Sequence, residues 1–229
     1  DKERKTIYLC LAHMSEDSME QKYVKEAFDT NWVVPLGPNV NGFEDDLKAF
    51  VSKNSDGTDL QKEVVALSAG TAAVHLALLA CGVGPGDEVC VQSFTFCASS
   101  HPITYLGATP VFIDSEPNTW NMDPELLEKA IIDRKEKTGN YPKAIVPVAL
   151  YGMPYDCDRI MAIADKYGIP VVEDAAEGFG SRYKGQVLGT FGKFGVLSFN
   201  GNKMITTSGG GALICNDAES KNQVMWYAT

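Results

Sequence analysis

Ala144-Ile145-Val146-Pro147-Val148-Ala149-Leu150 carries no polar side chain, so the strand it predicts is apolar on both faces. A strand half in water alternates apolar and polar residues, whereas a strand apolar throughout belongs in a sheet covered on both sides. The flanking chain supplies such covers. Downstream, Ile160, Ile163, Ala164 and Tyr167 recur at i, i+3, i+4 and i+7, the stripe of a helix lying on a sheet, and Gly168 supplies its stop. Upstream, Asp123-Pro124 opens a helix with an N-cap followed by proline at the first helical position.

The alternation continues in both directions. Strands are expected at 88–92, 109–113, 144–150, 170–174, 195–199 and 211–215, with a further apolar run at Val64-Val65-Ala66-Leu67. Helices are expected at 19–28, 43–51, 71–81, 97–106, 124–134 and 159–167, and residues 52–58 read as a surface loop. Strand–helix–strand order of this kind implies the α/β class, with a mainly parallel sheet and helices on both faces. Ligands in such sheets gather beyond the C-terminal ends of the strands.

Composition removes several classes of function. With 229 residues, 45% of them hydrophobic, the chain suffices for one large domain and part of a second. Its formal net charge of −10 and the lack of a basic run leave nothing to neutralise a phosphate backbone, so no nucleic-acid partner is expected. The six cysteines form no CxxC pair and the three histidines do not cluster with them, so no metal centre is expected. Buried free thiols in a reducing compartment account for the cysteines. No apolar run of signal-peptide length follows Asp1-Lys2-Glu3-Arg4-Lys5, and no window approaches about 18 apolar residues. A cytoplasmic protein with no membrane partner is the expectation. The helix that Asp217 would cap is still apolar-faced at Thr229, which reads as a cut within a domain rather than a solvated tail.

Chemistry concentrates at the strand ends. Val196-Leu197-Ser198-Phe199-Asn200-Gly201-Asn202-Lys203 is an apolar strand that stops in a polar, glycine-bearing turn and presents one lysine. An amine so placed suits a covalent bond that must form and break with a carbonyl, although a lysine in a loop is more often exposed to water. Val171-Val172-Glu173-Asp174-Ala175-Ala176-Glu177 ends a strand in a carboxylate followed by small residues. Asp174 could be a helix cap or one half of an ion pair, or it could hold the charge on a pyridinium nitrogen. Ser68-Ala69-Gly70-Thr71-Ala72-Ala73 places a small-residue turn at a helix start, either an ordinary N-cap or an anion site made by free N–H groups. Phe96, in Phe94-Thr95-Phe96-Cys97-Ala98-Ser99, is either core or a ring that lies on a flat cofactor. Taken together, Lys203 and Asp174 suggest a pyridoxal 5'-phosphate site.

These motifs, in this order, resemble the DegT/DnrJ/EryC1/StrS aminotransferases. The likeness also takes in Phe43-Glu44, Gly84-Pro85-Gly86-Asp87-Glu88-Val89, Gly107-Ala108-Thr109-Pro110-Val111-Phe112-Ile113-Asp114 and Leu150-Tyr151-Gly152-Met153-Pro154. It implies the large domain of the aspartate aminotransferase (type I) fold over residues 36–229, preceded by an N-terminal arm and helix at 1–35. It implies Lys203 as the residue bonded to the cofactor aldehyde and as acid and base in turn, Asp174 on the ring nitrogen and Phe96 on the ring face. Gly70, Thr71 and Ser198 would hold the phosphate. Glu177 stands where many members carry glutamine or histidine near the ring hydroxyl, which leaves the protonation of that contact open. Some relatives are sugar dehydratases with histidine in place of the lysine; Lys203 speaks against that activity.

The implied reaction is amination of a nucleotide-linked keto sugar by an amino acid donor such as glutamate, within polysaccharide or glycan biosynthesis, by a homodimer. Ser198–Lys203 with Ile205-Thr206-Thr207 most resembles the branch acting on UDP-linked 4-keto-6-deoxy-N-acetylhexosamines. Family members continue past the position of Thr229 into a C-terminal small domain, absent here, so a chain ending at Thr229 is expected to show weak or no transaminase turnover. Another pyridoxal phosphate chemistry on the same fold, or a non-catalytic module that keeps it, are the rival readings.

Overall fold

The computed structural model describes residues 13–229; the charged run at the N-terminus, Cys10 and the first part of the expected arm lie outside the described residues. The chain order is α1 (Met19–Asp29), α2 (Pro38–Val51), β1 (Glu63–Leu67), α3 (Gly70–Ala80), β2 (Glu88–Gln92), α4 (His101–Tyr105), β3 (Thr109–Ile113) and α5 (Pro124–Thr138). It continues with β4 (Ala144–Val146), α6 (Cys157–Tyr167), β5 (Val172–Asp174), β6 (Arg182–Tyr183), β7 (Gln186–Val187), β8 (Phe194–Ser198), β9 (Gly211–Cys215) and α7 (Ala218–Ala228).

One ladder runs β1-β9-β8-β5 and another β3-β2-β4. Parallel bridges Ile145–Val171 and Val148–Asp174 join them through β4 and β5 into a single sheet. Strand β9 pairs antiparallel with both β1 and β8, while β2 with β3, β2 with β4 and β5 with β8 are parallel. The α/β class with a mixed, mainly parallel sheet therefore holds. The reversal at β9 follows from the connection at 199–210, which turns straight back beside β8, whereas the chain between the parallel β5 and β8 runs back the length of the sheet through the β6–β7 hairpin.

Apolar residues on alternate sides of each strand build two cores. Val64, Cys90, Ile145, Leu197 and Ile214 face Leu127 and Ile131 of α5, Ile160 and Ala164 of α6, and Leu47 and Val51 of α2. Their neighbours Val65, Val89, Val146, Val172, Val196 and Leu213 face Val74, Ala77 and Leu78 of α3 and Val224 of α7. The same alternation divides two carboxylates on β5. Asp174 follows Val172 onto the α3 side, and Glu173 points the other way. There Glu173, 1% exposed, accepts backbone N–H bonds from Gly189 at 3.0 Å, Phe191 at 2.6 Å and Gly192 at 2.6 Å. The 187–192 segment lies so close to β8 that a Cβ on Gly195 would sit 1.9 Å from the Gly189 carbonyl oxygen.

Three local departures from the sequence reading have plain causes. Strand β4 ends at Val146 because Pro147 has no N–H for the ladder; a 3-10 turn, Leu150–Gly152, follows. The helix expected at 97–106 splits into a 3-10 turn, Cys97–Ser99, and the short α4. Pro102 lacks the N–H, and its ring blocks the carbonyl, that a continuous helix would need. That break leaves Cys97 exposed, against the expectation of buried thiols, whereas Cys90, Cys157 and Cys215 are buried and Cys81 is half-buried. The hairpin β6–β7 was not expected; its Lys184-Gly185 turn has φ of 48° and 90°, the positive pair that a tight hairpin uses.

Candidate active site

Lys203 reaches its place through a folded loop. Phe199 N–H donates to Gly210 O at 3.0 Å and Thr207 N–H to Phe199 O at 2.9 Å, closing the base of the 199–210 connection. Within it, Lys203 N–H donates to Asn200 O at 2.9 Å. The Lys203 side chain is only 14% exposed, and its Nζ lies 3.7 Å from Glu177 Oε1. It is therefore no solvated loop lysine. Glu177 in turn accepts the backbone N–H of Tyr151 through Oε2 at 2.6 Å.

Asp174 lies at the C-terminal end of β5, 6% exposed. It caps no helix. Oδ2 accepts the Ser99 hydroxyl at 2.5 Å and Oδ1 accepts Ala176 N–H at 3.1 Å. Burial holds its carboxyl above the usual aspartate range, while the bonds from Ser99 and Ala176 and the charge of Lys203 pull the other way.

One end of the cavity is built by the turn after β1, the start of α3 and the end of β8. Helix α3 starts at Gly70 after an extended Ala69, and no side chain caps its first turn. Its leading N–H groups and the positive end of its dipole are thus left for a ligand. Gly70 permits a close approach: a Cβ there would be 3.0 Å from the Ser198 Cβ and 3.3 Å from its Oγ. Phe96, 70% exposed, belongs to no core cluster.

All of Gly70, Thr71, Phe96, Asp174, Glu177, Ser198 and Lys203 line one cavity of about 290 Å³, near the lower end of the size range of small-molecule sites. Larger grooves among the described residues include one of about 490 Å³ beside Glu116 and Tyr183 and one of about 680 Å³ between Tyr23 and Phe199. Neither contains Lys203 or Asp174, so chemistry rather than size marks the site. A group with an anion at one end, an aldehyde within reach of an amine and a basic ring nitrogen would meet a matching residue at each point, so the residues present fit pyridoxal phosphate.

Sequence reasoning passed over two buried polar residues here. Ser99, 1% exposed, lay within the quoted 94–99 segment, but its contact with Asp174 spans 75 positions. Gln92, fully buried at the end of β2, accepts Met122 N–H at 2.8 Å and Val148 N–H at 3.3 Å and donates to Phe94 O at 2.9 Å. A glutamine directly after the apolar run Val89-Cys90-Val91 is the signal that could have found it.

A buried carboxylate and a lysine sharing one cavity with an uncapped helix start place the fold among cofactor-binding α/β proteins. The chain belongs to the DegT/DnrJ/EryC1/StrS aminotransferase family, whose sequence model matches residues 14–228. It is 50% identical over 225 residues to EpsN of Bacillus subtilis, provisionally named a pyridoxal phosphate-dependent aminotransferase; the match takes in 98% of this chain and 55% of that protein. It is 43% identical over 201 residues to a GDP-perosamine synthase of Caulobacter vibrioides, over 88% of this chain and 50% of the relative. Among solved structures, the aminotransferase from Psychrobacter cryohalolentis superposes with a TM-score of 0.81 at 33% identity, over 94% of this chain and 51% of that one. The chain spans about half the length of these relatives.

Proposed function

We propose that this chain forms the cofactor-binding large domain, residues 36–229, of a pyridoxal phosphate-dependent aminotransferase that aminates a nucleotide-linked keto sugar. One observation carries the reading: Lys203, Asp174 and the uncapped start of α3 open onto a single cavity. Pyridoxal phosphate, when bound, supplies an electron sink for carbanionic charge. The residues do the rest. Lys203 would supply the amine that holds the aldehyde and, when free, a base and acid for moving a proton at the donor carbon. Asp174 would favour a positive charge on the ring nitrogen. The α3 N–H groups, with Thr71 and Ser198, would hold the phosphate, and Phe96 would cover one ring face. Glu177 pairs with the Lys203 ammonium in the free protein.

On the same reading the donor is an amino acid such as glutamate, which leaves as a 2-oxo acid, and the sugar belongs to cell-surface polysaccharide synthesis. The Ser198–Lys203 segment with Ile205-Thr206-Thr207 supports a UDP-linked 4-keto-6-deoxy-N-acetylhexosamine as substrate. One relative is named GDP-perosamine synthase, so a GDP-linked keto sugar is the alternative acceptor. A cytoplasmic homodimer completes the proposal; among the described residues no helix is long and apolar enough to cross a membrane.

The test begins with absorbance. The protein mixed with pyridoxal phosphate should gain a band that borohydride bleaches, with the reduced cofactor recovered on the peptide containing Lys203. A band that persists in Lys203→Ala would remove the assignment. A panel of UDP- and GDP-linked keto sugars with glutamate, read by mass spectrometry of the amino sugar, then identifies the acceptor.

A further inference from the structure

The segment that presents Phe96 at the cavity also reaches beneath it. Ser99 ends the 3-10 turn, its N–H donating to Phe96 O at 3.1 Å, and its hydroxyl donates to Asp174 Oδ2 at 2.5 Å. Thr95 Oγ1 stands 2.8 Å from the same Ser99 oxygen. A serine hydroxyl carries one hydrogen. Because Ser99 gives its hydrogen to the carboxylate, it can only accept from Thr95, and Thr95 must donate. The hydrogen bonds therefore run one way, from Thr95 to Ser99 to Asp174.

We propose that Thr95 and Ser99 are positioning residues for the cofactor: their directed hydrogen-bond chain keeps Asp174 ionised and fixes the plane of its carboxylate toward the ring nitrogen. The inference rests on the pyridoxal phosphate reading of the site. It answers a need that the site itself creates. The charged groups facing Asp174 are Lys203, from the loop after β8, and Glu177, from the turn after β5. Along the same cavity α3 offers Thr71 and Val74, and the 95–98 segment offers Thr95, Phe96 and Ala98, all uncharged. In the free protein the Lys203 ammonium helps to offset the burial of Asp174. With the cofactor bound, that amine would be committed to the aldehyde and the ring nitrogen would face the carboxylate in its place. In either state the protein itself gives the carboxylate two hydrogen bonds, from Ala176 N–H and from Ser99. Only the second depends on a side chain, and Thr95 polarises it. The short 3-10 turn thus sets both the ring cover and the charge beneath it.

The experiment reads Asp174 directly. The 229-residue chain carrying carboxyl-13C aspartate is titrated by NMR without cofactor, with Asp174→Asn used only to assign the resonance. Ser99→Ala should move the Asp174 midpoint upward by about one pH unit and weaken pyridoxal phosphate binding about tenfold. Thr95→Val should move both in the same direction by less, and Ser99→Thr, which keeps the hydroxyl, should restore both. Circular dichroism of each variant checks the fold; Ser99→Cys, a weaker donor of similar size, gives an intermediate midpoint even if the alanine variant is unstable. An Asp174 midpoint unchanged in Ser99→Ala or Ser99→Cys, or a Ser99→Thr that behaves like the alanine variant, overturns the proposal. If the midpoints shift as expected but no variant, nor the parent, takes up pyridoxal phosphate, the hydrogen-bond chain stands as the control of Asp174 ionisation and the cofactor reading fails. Tight cofactor binding with unmoved midpoints does the reverse.

Discussion

Lys203 Nζ and Glu177 Oε1 face each other at 3.7 Å, and the second oxygen of Glu177 holds the backbone of Tyr151. Glu177 thus joins the loop after β8 to the 3-10 turn after β4. Tyr151 sits at φ 51°, a left-handed conformation that tyrosine rarely adopts, so its N–H bond matters to that turn. Glu177→Gln keeps an oxygen for Tyr151 and loses only the ion pair, which between partly exposed partners is worth at most about 1 kcal/mol. Glu177→Ala loses the anchor as well. Urea denaturation should therefore place the alanine variant about 1 kcal/mol or more below the glutamine variant. Equal midpoints for the two would show that the Tyr151 contact contributes nothing.

The two carboxylates of β5 set a pH dependence. Burial raises both Glu173 and Asp174 above their ordinary values of 4.5 and 3.8. A raised carboxyl binds its proton more tightly in the folded state than in the unfolded chain. Its contribution to stability is therefore present below the unfolded value and is lost as pH rises through the folded value. Surface carboxylates such as Asp133 and Asp158 are lowered and slope the other way, so the comparison must be between variants. Asp174→Asn in the free protein should gain stability relative to the parent as pH is raised above about 4, with the difference vanishing below that range. Thermal melting across pH reads it directly. A variant that lost ground to the parent on the alkaline side would reverse the assigned sign.

How much could be seen without coordinates depended on whether the signal was local. The seven apolar residues at 144–150 declared a sheet covered on both sides, and the cores on either side of Ile145 and Val146 are that cover. Strand direction was not legible. Gly211–Cys215 is buried throughout and reads like its parallel neighbours, yet β9 runs against them because the 199–210 loop returns directly. The β6–β7 hairpin escaped notice because Lys184-Gly185 lacks the asparagine or aspartate that usually marks such a turn. At the site, the residues with distinctive chemistry, Lys203 and Asp174, stood out by type. Ser99 did not, since nothing in a run of small residues says which hydroxyl will meet a carboxylate 75 positions away. Phe96 was ambiguous for a related reason: a phenylalanine is core by default, and only its 70% exposure shows otherwise.

Glu173 supports the site from the far face of the sheet. Three N–H groups end on its carboxylate, buried at Gly189 and Gly192 and half-buried at Phe191. Glu173→Ala leaves all three without a partner, at about 1–3 kcal/mol for each. The expected result is a loss of at least about 3 kcal/mol, or an insoluble protein. Glu173→Gln retains one acceptor oxygen and should fall between the alanine variant and the parent. The same packing forbids a side chain opposite: Gly195→Ala would drive a methyl group into the Gly189 carbonyl and should be comparably damaging. Urea midpoints for Glu173→Ala or Gly195→Ala within about 1 kcal/mol of the parent would show that the 187–192 segment is free to move away from β8.

Phe96 allows ligand binding to be separated from stability. Its side chain is 70% exposed and outside both cores, so truncation removes little buried apolar surface. Phe96→Ala should leave the urea midpoint within about 0.5 kcal/mol of the parent. If the ring covers the cofactor, the same change removes a stacking contact of roughly 0.5–1.5 kcal/mol, so pyridoxal phosphate affinity should fall between about twofold and about tenfold. Phe96→Tyr and Phe96→Trp keep a π-face and should bind within about twofold of the parent, whereas Phe96→Leu should resemble alanine because it offers bulk without a ring. Fluorescence titration with pyridoxal phosphate measures all four. Leucine binding as well as tyrosine would show that bulk at the cavity rim, and not the aromatic face, is what the ligand meets.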